Sequence, residues 1–388
     1  MLRQPAEIYP STVRGGAPRP PAPAGAYADF VEAQLAASSD GSTDRAVSFW
    51  RRRLKGYATD SPLPRRLSED AGAHGARRLE IDWPAEVLAG AQRLAARHGA
   101  TLYMVLLSAF AALLHRLSGR DDLVVASPVT NREREEWESV VGYFVNLLPL
   151  RLRWPAETPF TELLAVTRET VIEAQTHQRL PIHQIAAAAS LRPRALVHVL
   201  YQHVAAPRER IRAGGIVLTP KPIDLGRTRH DLTLSTFAAA GRLGGTLEYD
   251  RRALDDTSAR QLVDALAATL EQVLDDPSVA PATLEIPHAW TREPEPPAKP
   301  AGRDDAPAPS TGAATSDLEA RLAGIWQEVL EVEPVSRWDN FLDIGGDSLT
   351  AMQVIESVER SLGVRLAPGD LFTQTLAQLA ASCERRRD

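Results

Sequence analysis

The sequence predicts a layered α/β unit followed by a small all-α bundle. Three observations carry this. Between residues 78 and 274, short apolar or alternating runs are interleaved with long apolar-faced segments, the mixture expected of a sheet covered by helices. From residue 316 onward the periodic segments are helical, without a strand-like run. Between the two lies the Pro- and Ala-rich run REPEPPAKPAGRDDAPAPSTGAAT at 292–315, whose composition favours a semi-extended tether.

At 388 residues the chain is long enough for two or three domains, and its 44% hydrophobic content is that of a globular protein. Cys383 is the one cysteine, so no intramolecular disulfide can form, and a reducing cytoplasm is the expected location. Residues 1–9 lack a cationic segment followed by an apolar one, and no apolar run reaches membrane-spanning length. Neither export nor membrane insertion is expected. Residues 317–388 hold 13 acidic and 7 basic side chains, whereas the rest of the chain holds 37 of each. The acidity is confined to the C-terminal unit, which suits steering towards basic protein surfaces and argues against nucleic acid as a partner. A merely solvated acidic face has the same composition.

In chain order, residues 1–26 carry Pro18, Pro20, Pro21 and Pro23 and read as a connector. Tyr27 to Arg51 reads as helical with aromatic anchors at both ends, and Pro62 to Gly75 as loop. Arg78 to Trp83 alternates and predicts a strand; Val87 to His98 predicts a helix. Thr101 to Leu117, TLYMVLLSAFAALLHRL, is apolar almost all round, and its length favours a buried core helix over a membrane span. Leu123 to Ser127, between Asp121-Asp122 and Pro128, predicts a central strand. Further helices are expected near Phe160 to His177 and Thr257 to Leu274, with strands over 195–204, 232–237 and 243–249.

The C-terminal unit is organised around Asp339-Asn340-Phe341-Leu342-Asp343-Ile344-Gly345-Gly346-Asp347-Ser348-Leu349. Two glycines before a helix give the backbone freedom to turn, and Ser348 falls at the helix start with its hydroxyl expected to face solvent. Leu349, Met352, Ile355, Val358 and Leu362 recur at helical spacing. Leu318, Leu322, Ile325, Trp326 and Val329 predict a preceding helix capped by Ser316 or Asp317. A minor turn near 366–372 and a short helix through Leu376, Leu379 and Ala380, started by Thr375, complete the unit. An N-cap role accounts for the position of Ser348 but not for the Phe-Leu-Asp-x-Gly-Gly-Asp-Ser-Leu run around it.

That run resembles the attachment motif of acyl and peptidyl carrier proteins. The resemblance covers the whole of 316–388. It implies a four-helix carrier bundle in which Ser348, flanked by Gly346, Asp347 and Leu349, bears 4'-phosphopantetheine transferred from coenzyme A by a phosphopantetheinyl transferase. A phosphodiester there would lie where a helix N-terminus favours negative charge.

A second resemblance rests on GYFVNLLPLR at 142–151, a likeness to a signature of nonribosomal peptide synthetase condensation domains. The TLYMVLLSAFAALL helix, DDLVVASPVTNR, Val199-Leu200-Tyr201-Gln202, Arg229-His230-Asp231-Leu232 and Leu247-Glu248-Tyr249-Asp250 follow in that family's order. The likeness runs from about Tyr27 to Pro277 and implies a fold resembling chloramphenicol acetyltransferase, with two lobes flanking a tunnel. The family's His-His-x-x-x-Asp-Gly motif has no counterpart, because none of the nine histidines is adjacent to another. By alignment the motif falls before Met1, so the expectation is a second lobe without the first, over 27–291.

Amide formation needs two tethered substrates held near a proton acceptor, and one lobe supplies half the walls. The reading is therefore a synthetase component whose half condensation domain is inactive alone, with no catalytic residue of its own. Expected partners are the transferase, an adenylation domain or enzyme, other synthetase modules and a separate first lobe. Two alternatives remain open: an amide synthase completed in trans by that lobe, and a half lobe serving as a docking platform. His230 and Asp231 do not read as a dyad, because adjacent extended residues face opposite ways. His183, His198 and His203 read as packed or surface histidines without zinc-site spacing. Asn146 and Arg151 have two readings, lining the surviving tunnel wall or bracing its latch, or satisfying backbone groups at a strand end.

Overall fold

Two units divide the chain at residue 294, Met1–Pro294 and Glu295–Asp388. The computed structural model describes residues 25–39, 43–58, 61–63, 75–155, 157–204, 211–213, 216–219, 228–287, 316–330, 335–341, 348–366 and 374–387, and a few isolated positions besides. Most of the expected 1–26 connector and all of the 292–315 tether lie outside the described residues.

The first unit begins with α1 (Tyr27–Ser39) and α2 (Asp44–Leu54). The sequence pattern read this stretch as one helical segment. It divides where Gly41 adopts φ +74°, a conformation that an α-helix does not contain. Aromatic anchors fix the two helices in different places. Phe30 of α1 packs with Trp137, Val140 and Phe144 in a small satellite cluster, while Trp50 and Leu54 of α2 enter the main core.

The chain continues through β1 (Ala76–Trp83), α3 (Ala85–Arg97), α4 (Leu102–Ser118), β2 (Asp122–Val129) and β3 (Asn146–Arg153). There follow α5 (Phe160–Thr176), α6 (Ile182–Ala188), β4 (Val199–His203), the hairpin β5 (Ile211–Ala213) and β6 (Ile216–Leu218), β7 (Leu232–Ala239), β8 (Arg242–Asp250) and α7 (Asp256–Asp275). The strand expected over 195–204 starts only at Val199, because Pro193–Leu196 form a 3-10 turn led by proline. The α6 helix was not expected; its seven residues make two turns, too few for a periodic signal.

Helix α4 is the centre of the unit. Thr101 caps it by accepting a hydrogen bond from Met104 N at 3.3 Å, and Gly119, at φ +68°, ends it in the left-handed conformation that favours glycine. Val105, Leu107, Ala109, Phe110, Ala111, Ala112, Leu113 and Leu114 are completely buried, so the all-round apolar pattern is matched by all-round packing. Helices α3, α5 and α7 pack against it.

The sheet has six strands in the order β1-β8-β7-β4-β2-β3. Strands β7, β4 and β2 run parallel, and antiparallel neighbours flank them. Strands β4 and β7 pair over five positions, from Val199–Leu232 to His203–Thr236. Strands β2 and β4 pair only at Ala126–Leu200.

The second unit contains α8 (Asp317–Leu330), α9 (Ser348–Leu362) and α10 (Leu376–Arg387). Its core joins Leu318, Leu322 and Trp326 of α8 to Val354, Ile355, Val358 and Leu362 of α9 and Leu376, Leu379 and Cys383 of α10. Ser316 caps α8 by accepting from Glu319 N at 3.1 Å. Thr375 caps α10 reciprocally, accepting from Gln378 N while Gln378 Oε1 accepts from Thr375 N. In the expected minor turn, Asp370 and Leu371 are helical and Leu371 is fully buried; positions 367–369 and 372–373 lie outside the described residues.

No single helix among the described residues is long and apolar enough to cross a membrane.

Candidate functional site

In the C-terminal unit, the approach to the helix bearing Ser348 is held at several points. Asp339 closes a turn in which its carboxylate accepts from Ser336 N at 2.7 Å and its own N–H donates to Ser336 O at 3.0 Å. The same turn is tied to α10, since Leu376 N donates to Asp339 O and Ala377 N to Arg337 O, both at 2.9 Å. Asn340 bridges to Thr375 and donates from Nδ2 to Gln374 O at 3.0 Å. Phe341 is fully buried edge-on to Trp326, with ring centroids 5.2 Å apart. Glu319, itself buried, receives Arg337 Nη2 at 2.9 Å.

These contacts hold the chain as far as Phe341, and α9 begins at Ser348. Gly345, Gly346 and Asp347 lie outside the described residues, as do the side chains of Ser348 and Leu349, so the expected exposure of the hydroxyl also falls outside them. The donor set suits a phosphodiester at residue 348, because the first backbone N–H groups of a 15-residue helix have no intrahelical acceptor.

In the first unit, the signature residues serve the framework. Asn146 donates from Nδ2 to Gln178 O and Leu180 O, both at 2.8 Å, and its Oδ1 accepts from Ile182 N at 3.1 Å. Its amide is thereby used on the α5–α6 connection. Arg151 donates to Asp122 Oδ1 from Nε at 2.7 Å and from Nη1 to Arg53 O and Lys55 O at 3.0 and 2.8 Å. It clamps the end of α2 onto β2 and β3. For both residues the geometry is that of backbone satisfaction and bracing.

His230 does not bond to Asp231; its Nδ1 lies 2.7 Å from Val197 O. Asp231 instead receives His198 Nδ1 at 2.8 Å, together with the Arg194 guanidinium. Burial pushes the Asp231 carboxyl up, but the His198 hydrogen bond and the Arg194 charge outweigh it and hold the group below the usual carboxylate value. This cluster ties the turn before β4 to the start of β7. Among the described residues, no group of three or more His, Cys, Asp or Glu side chains could hold a metal ion.

A cleft of about 470 Å³ opens at the carboxyl ends of β2 and β4, bounded by Tyr103 at the start of α4 and by Val171 and Gln175 of α5. It exists because β2 and β4 part after their single pairing at Ala126–Leu200, a position in open α/β sheets where ligands commonly bind. Gln202 and His203 line it, and Ser127 on its wall accepts a hydrogen bond from Tyr103 OH at 2.7 Å. Sequence reasoning placed His203 among packed or surface histidines. Strand alternation puts it on the face of Tyr201, but nothing local to it signals a cleft.

Comparison with known proteins accounts for both units. A family described as Condensation domain matches residues 1–293, and one described as Phosphopantetheine attachment site matches residues 320–383. The latter implies a 4'-phosphopantetheine prosthetic group. Malpinin synthetase of Mortierella alpina is 32% identical over 298 residues, which are 74% of this chain and 4% of that protein. Phosphinothricin tripeptide synthetase PhsC of Streptomyces viridochromogenes is 34% identical over 269 residues, 67% of this chain and 24% of that protein. The chain therefore spans a small part of the length of the curated relatives it matches.

Among solved structures, the complex of the X-domain and OxyB from teicoplanin biosynthesis gives a TM-score of 0.65 at 23% identity, covering 74% of this chain and 66% of that one. The first condensation domain of the calcium-dependent antibiotic synthetase, in complex with a substrate analogue, gives 0.56 at 24% identity, with 73% and 62% covered. Likeness at this identity shows the fold, the α/β architecture of condensation domains.

Proposed function

The chain belongs to the condensation domain family and continues into a phosphopantetheine attachment domain, and on that premise we propose that it is a nonribosomal peptide synthetase component with Ser348 as its attachment residue. The observation that carries the reading is the start of α9 at Ser348, within the motif whose first residues, up to Phe341, are pinned to α10 and to Trp326. In the charged form the arm supplies a terminal thiol holding an aminoacyl or peptidyl group as a thioester. The residues of the chain do the rest. Gly346, Asp347 and Leu349 flank the serine in the sequence, and the helix N-terminus favours the phosphodiester charge.

In this reading residues 1–26 are a connector, 27–291 a second condensation lobe, 292–315 a tether and 316–388 the carrier. The extent of structural match supports a partial condensation domain, since the aligned parts cover 62–66% of the solved condensation-type chains. The tether keeps the arm at high local concentration near the lobe while leaving it free to visit other enzymes. The acidic excess of the carrier suits basic surfaces on a phosphopantetheinyl transferase, an adenylation enzyme and neighbouring modules.

Two further roles for the lobe have support. Completion in trans by a first lobe carrying the His-His-x-x-x-Asp-Gly motif is favoured by the open cleft at the strand ends. A docking role is favoured by the likeness to the X-domain, which is solved with OxyB. Co-purification with such a first lobe and product formation would separate the first role from the second.

The attachment reading is tested by intact-protein mass spectrometry after incubation with coenzyme A and a broad-specificity phosphopantetheinyl transferase. The native chain gains one phosphopantetheinyl group and Ser348→Ala gains none. An added group on both proteins, or on neither, overturns it.

A further inference from the structure

Among the described tryptophans Trp338 is the exception: it is 64% exposed, whereas Trp50, Trp83, Trp137, Trp154 and Trp326 are buried. It takes no part in the core of the second unit. Its backbone is nonetheless fixed. Trp338 N donates to Ser336 Oγ at 3.3 Å, and the carbonyls on either side, Arg337 O and Asp339 O, accept from Ala377 N and Leu376 N of α10. The Arg337 guanidinium lies 4.9 Å from the ring centroid and donates to the buried Glu319 at 2.9 Å. An indole held out by an anchored turn, and not used by the core, is a contact surface prepared in advance, because little ordering remains to be done on binding.

The same contacts place the ring at one end of the bundle. Glu319 is in the first turn of α8, and its N–H is capped by Ser316, the residue at which the tether joins. Arg321 of α8 donates to Ser361 O at 2.8 Å, so the start of α8 lies beside the end of α9. Ser348, at the start of α9, is roughly 20 Å away along that helix. The ring therefore stands at the pole where the tether enters, opposite the attachment residue.

The tether has the chemistry for such a surface. Its last prolines alternate with alanine in Ala306-Pro307-Ala308-Pro309, and a segment of this kind stacks proline rings on exposed aromatic rings at little entropic cost. Asp304 and Asp305 precede them, opposite in charge to the guanidinium beside the ring. The seven steps from Pro309 to Ser316 span up to about 23 Å when extended, ample for a ring linked to Ser316 through Glu319 and Arg337.

We propose that the Trp338 indole is the docking platform of the chain's own proline-rich tether, which packs Pro307 and Pro309 against it. The contact keeps the tether at the pole remote from residue 348, so the end of the bundle that presents the attachment residue stays clear. It also shortens the free part of the tether to 292–306, which sets the reach of the carrier. The inference rests on the tether reading above and on the fold of the second unit, not on attachment at Ser348.

The test uses the full-length chain labelled with 5-fluorotryptophan, with Trp338→Phe to assign the Trp338 fluorine resonance. It is compared with Pro307→Ser/Pro309→Ser and with a chain whose residues 292–315 are replaced by Gly and Ser at equal length. In both variants the Trp338 resonance is expected to move, and its broadening by a soluble gadolinium chelate to rise about two-fold, as for a ring docked about half the time. The buried Trp326 reports the fold, and its resonance is expected to stay in place. Unchanged Trp338 position and accessibility in both variants overturns the proposal, as does a change that Trp326 shares. Dilution by about ten-fold leaves the difference intact for a contact within one chain. A difference that vanishes assigns the ring to a second copy and overturns the proposal, and so does protection that appears only when a phosphopantetheinyl transferase is added. Loading at Ser348, read by mass spectrometry, is a separate result, so failure of the attachment reading and failure of tether docking are distinguishable.

Discussion

The Asp231 carboxylate takes its hydrogen bond from His198 Nδ1, 33 residues away in sequence and 2.8 Å away in space, and not from its sequence neighbour His230. Asp231 sits just before β7 and His198 just before β4, so the pair closes the ends of two parallel strands that register at Val199–Leu232. Arg194 completes the charge balance from the preceding 3-10 turn.

Removing that charge should therefore loosen the strand ends without touching the carrier. Asp231→Asn is expected to cost roughly 2 kcal/mol, less than a fully buried pair because Arg194 is half exposed. Urea unfolding of the first unit reads the loss. Arm attachment at Ser348 should proceed as in the native chain, and a parallel loss there would show that the substitution acts globally.

Gly142 is a position where space, not backbone conformation, demands glycine. A Cβ there would meet the Tyr27 ring at 2.3 Å, and Tyr27 OH also donates to Tyr143 O at 2.8 Å. Gly142→Ala should push α1 off its satellite cluster at a cost of about 1–3 kcal/mol. Hydrogen exchange in residues 27–39 should rise while the strands stay protected.

The half-buried histidines His203 and His230 set an acid limit on the first unit. Burial lowers the pKa of His230, aided by the charges of Arg194 and Arg229 and opposed by its bond to Val197 O and by Glu248. Burial also lowers that of His203. Unfolded imidazoles take up protons as the pH falls through 6.5, whereas the folded ones resist until lower pH. Their favourable contribution is complete above pH 6.5 and is lost as the pH falls through the folded values. Denaturation midpoints at pH 7.5 and 5.5 should fall in that order, with a smaller fall in His203→Gln. An unchanged difference in that variant would remove His203 from the account.

In the carrier, Phe341 is the side chain that anchors the motif to the core. Phe341→Ala leaves a cavity against Trp326 and should cost about 3–5 kcal/mol, most of the stability of so small a domain. Near-ultraviolet circular dichroism from the carrier should collapse, and transfer of the arm to Ser348 should fall with it. A folded, fully loaded Phe341→Ala carrier would show that the motif is held elsewhere.

Local chemistry set much of this protein in its sequence. The all-apolar run from Thr101 became the central helix because every face of it found a neighbour. The caps at Ser316 and Thr375 lie where side-chain oxygens precede apolar periodicity. The run around Ser348 was legible for a similar reason: glycines, an apolar anchor and a helix start are all short-range features.

What the amino-acid order could not fix is which distant strands become neighbours. Asn146 and Arg151 kept two readings until the fold delivered Gln178, Leu180 and Asp122 to their side chains. The cleft has the same origin, since it depends on β2 and β4 meeting at one position and then parting, a relation between segments about 75 residues apart. Periodicity reports which face of a strand is apolar, but only long-range pairing decides what that face meets; for His203 it brought the Thr236 hydroxyl to 2.9 Å from Nδ1.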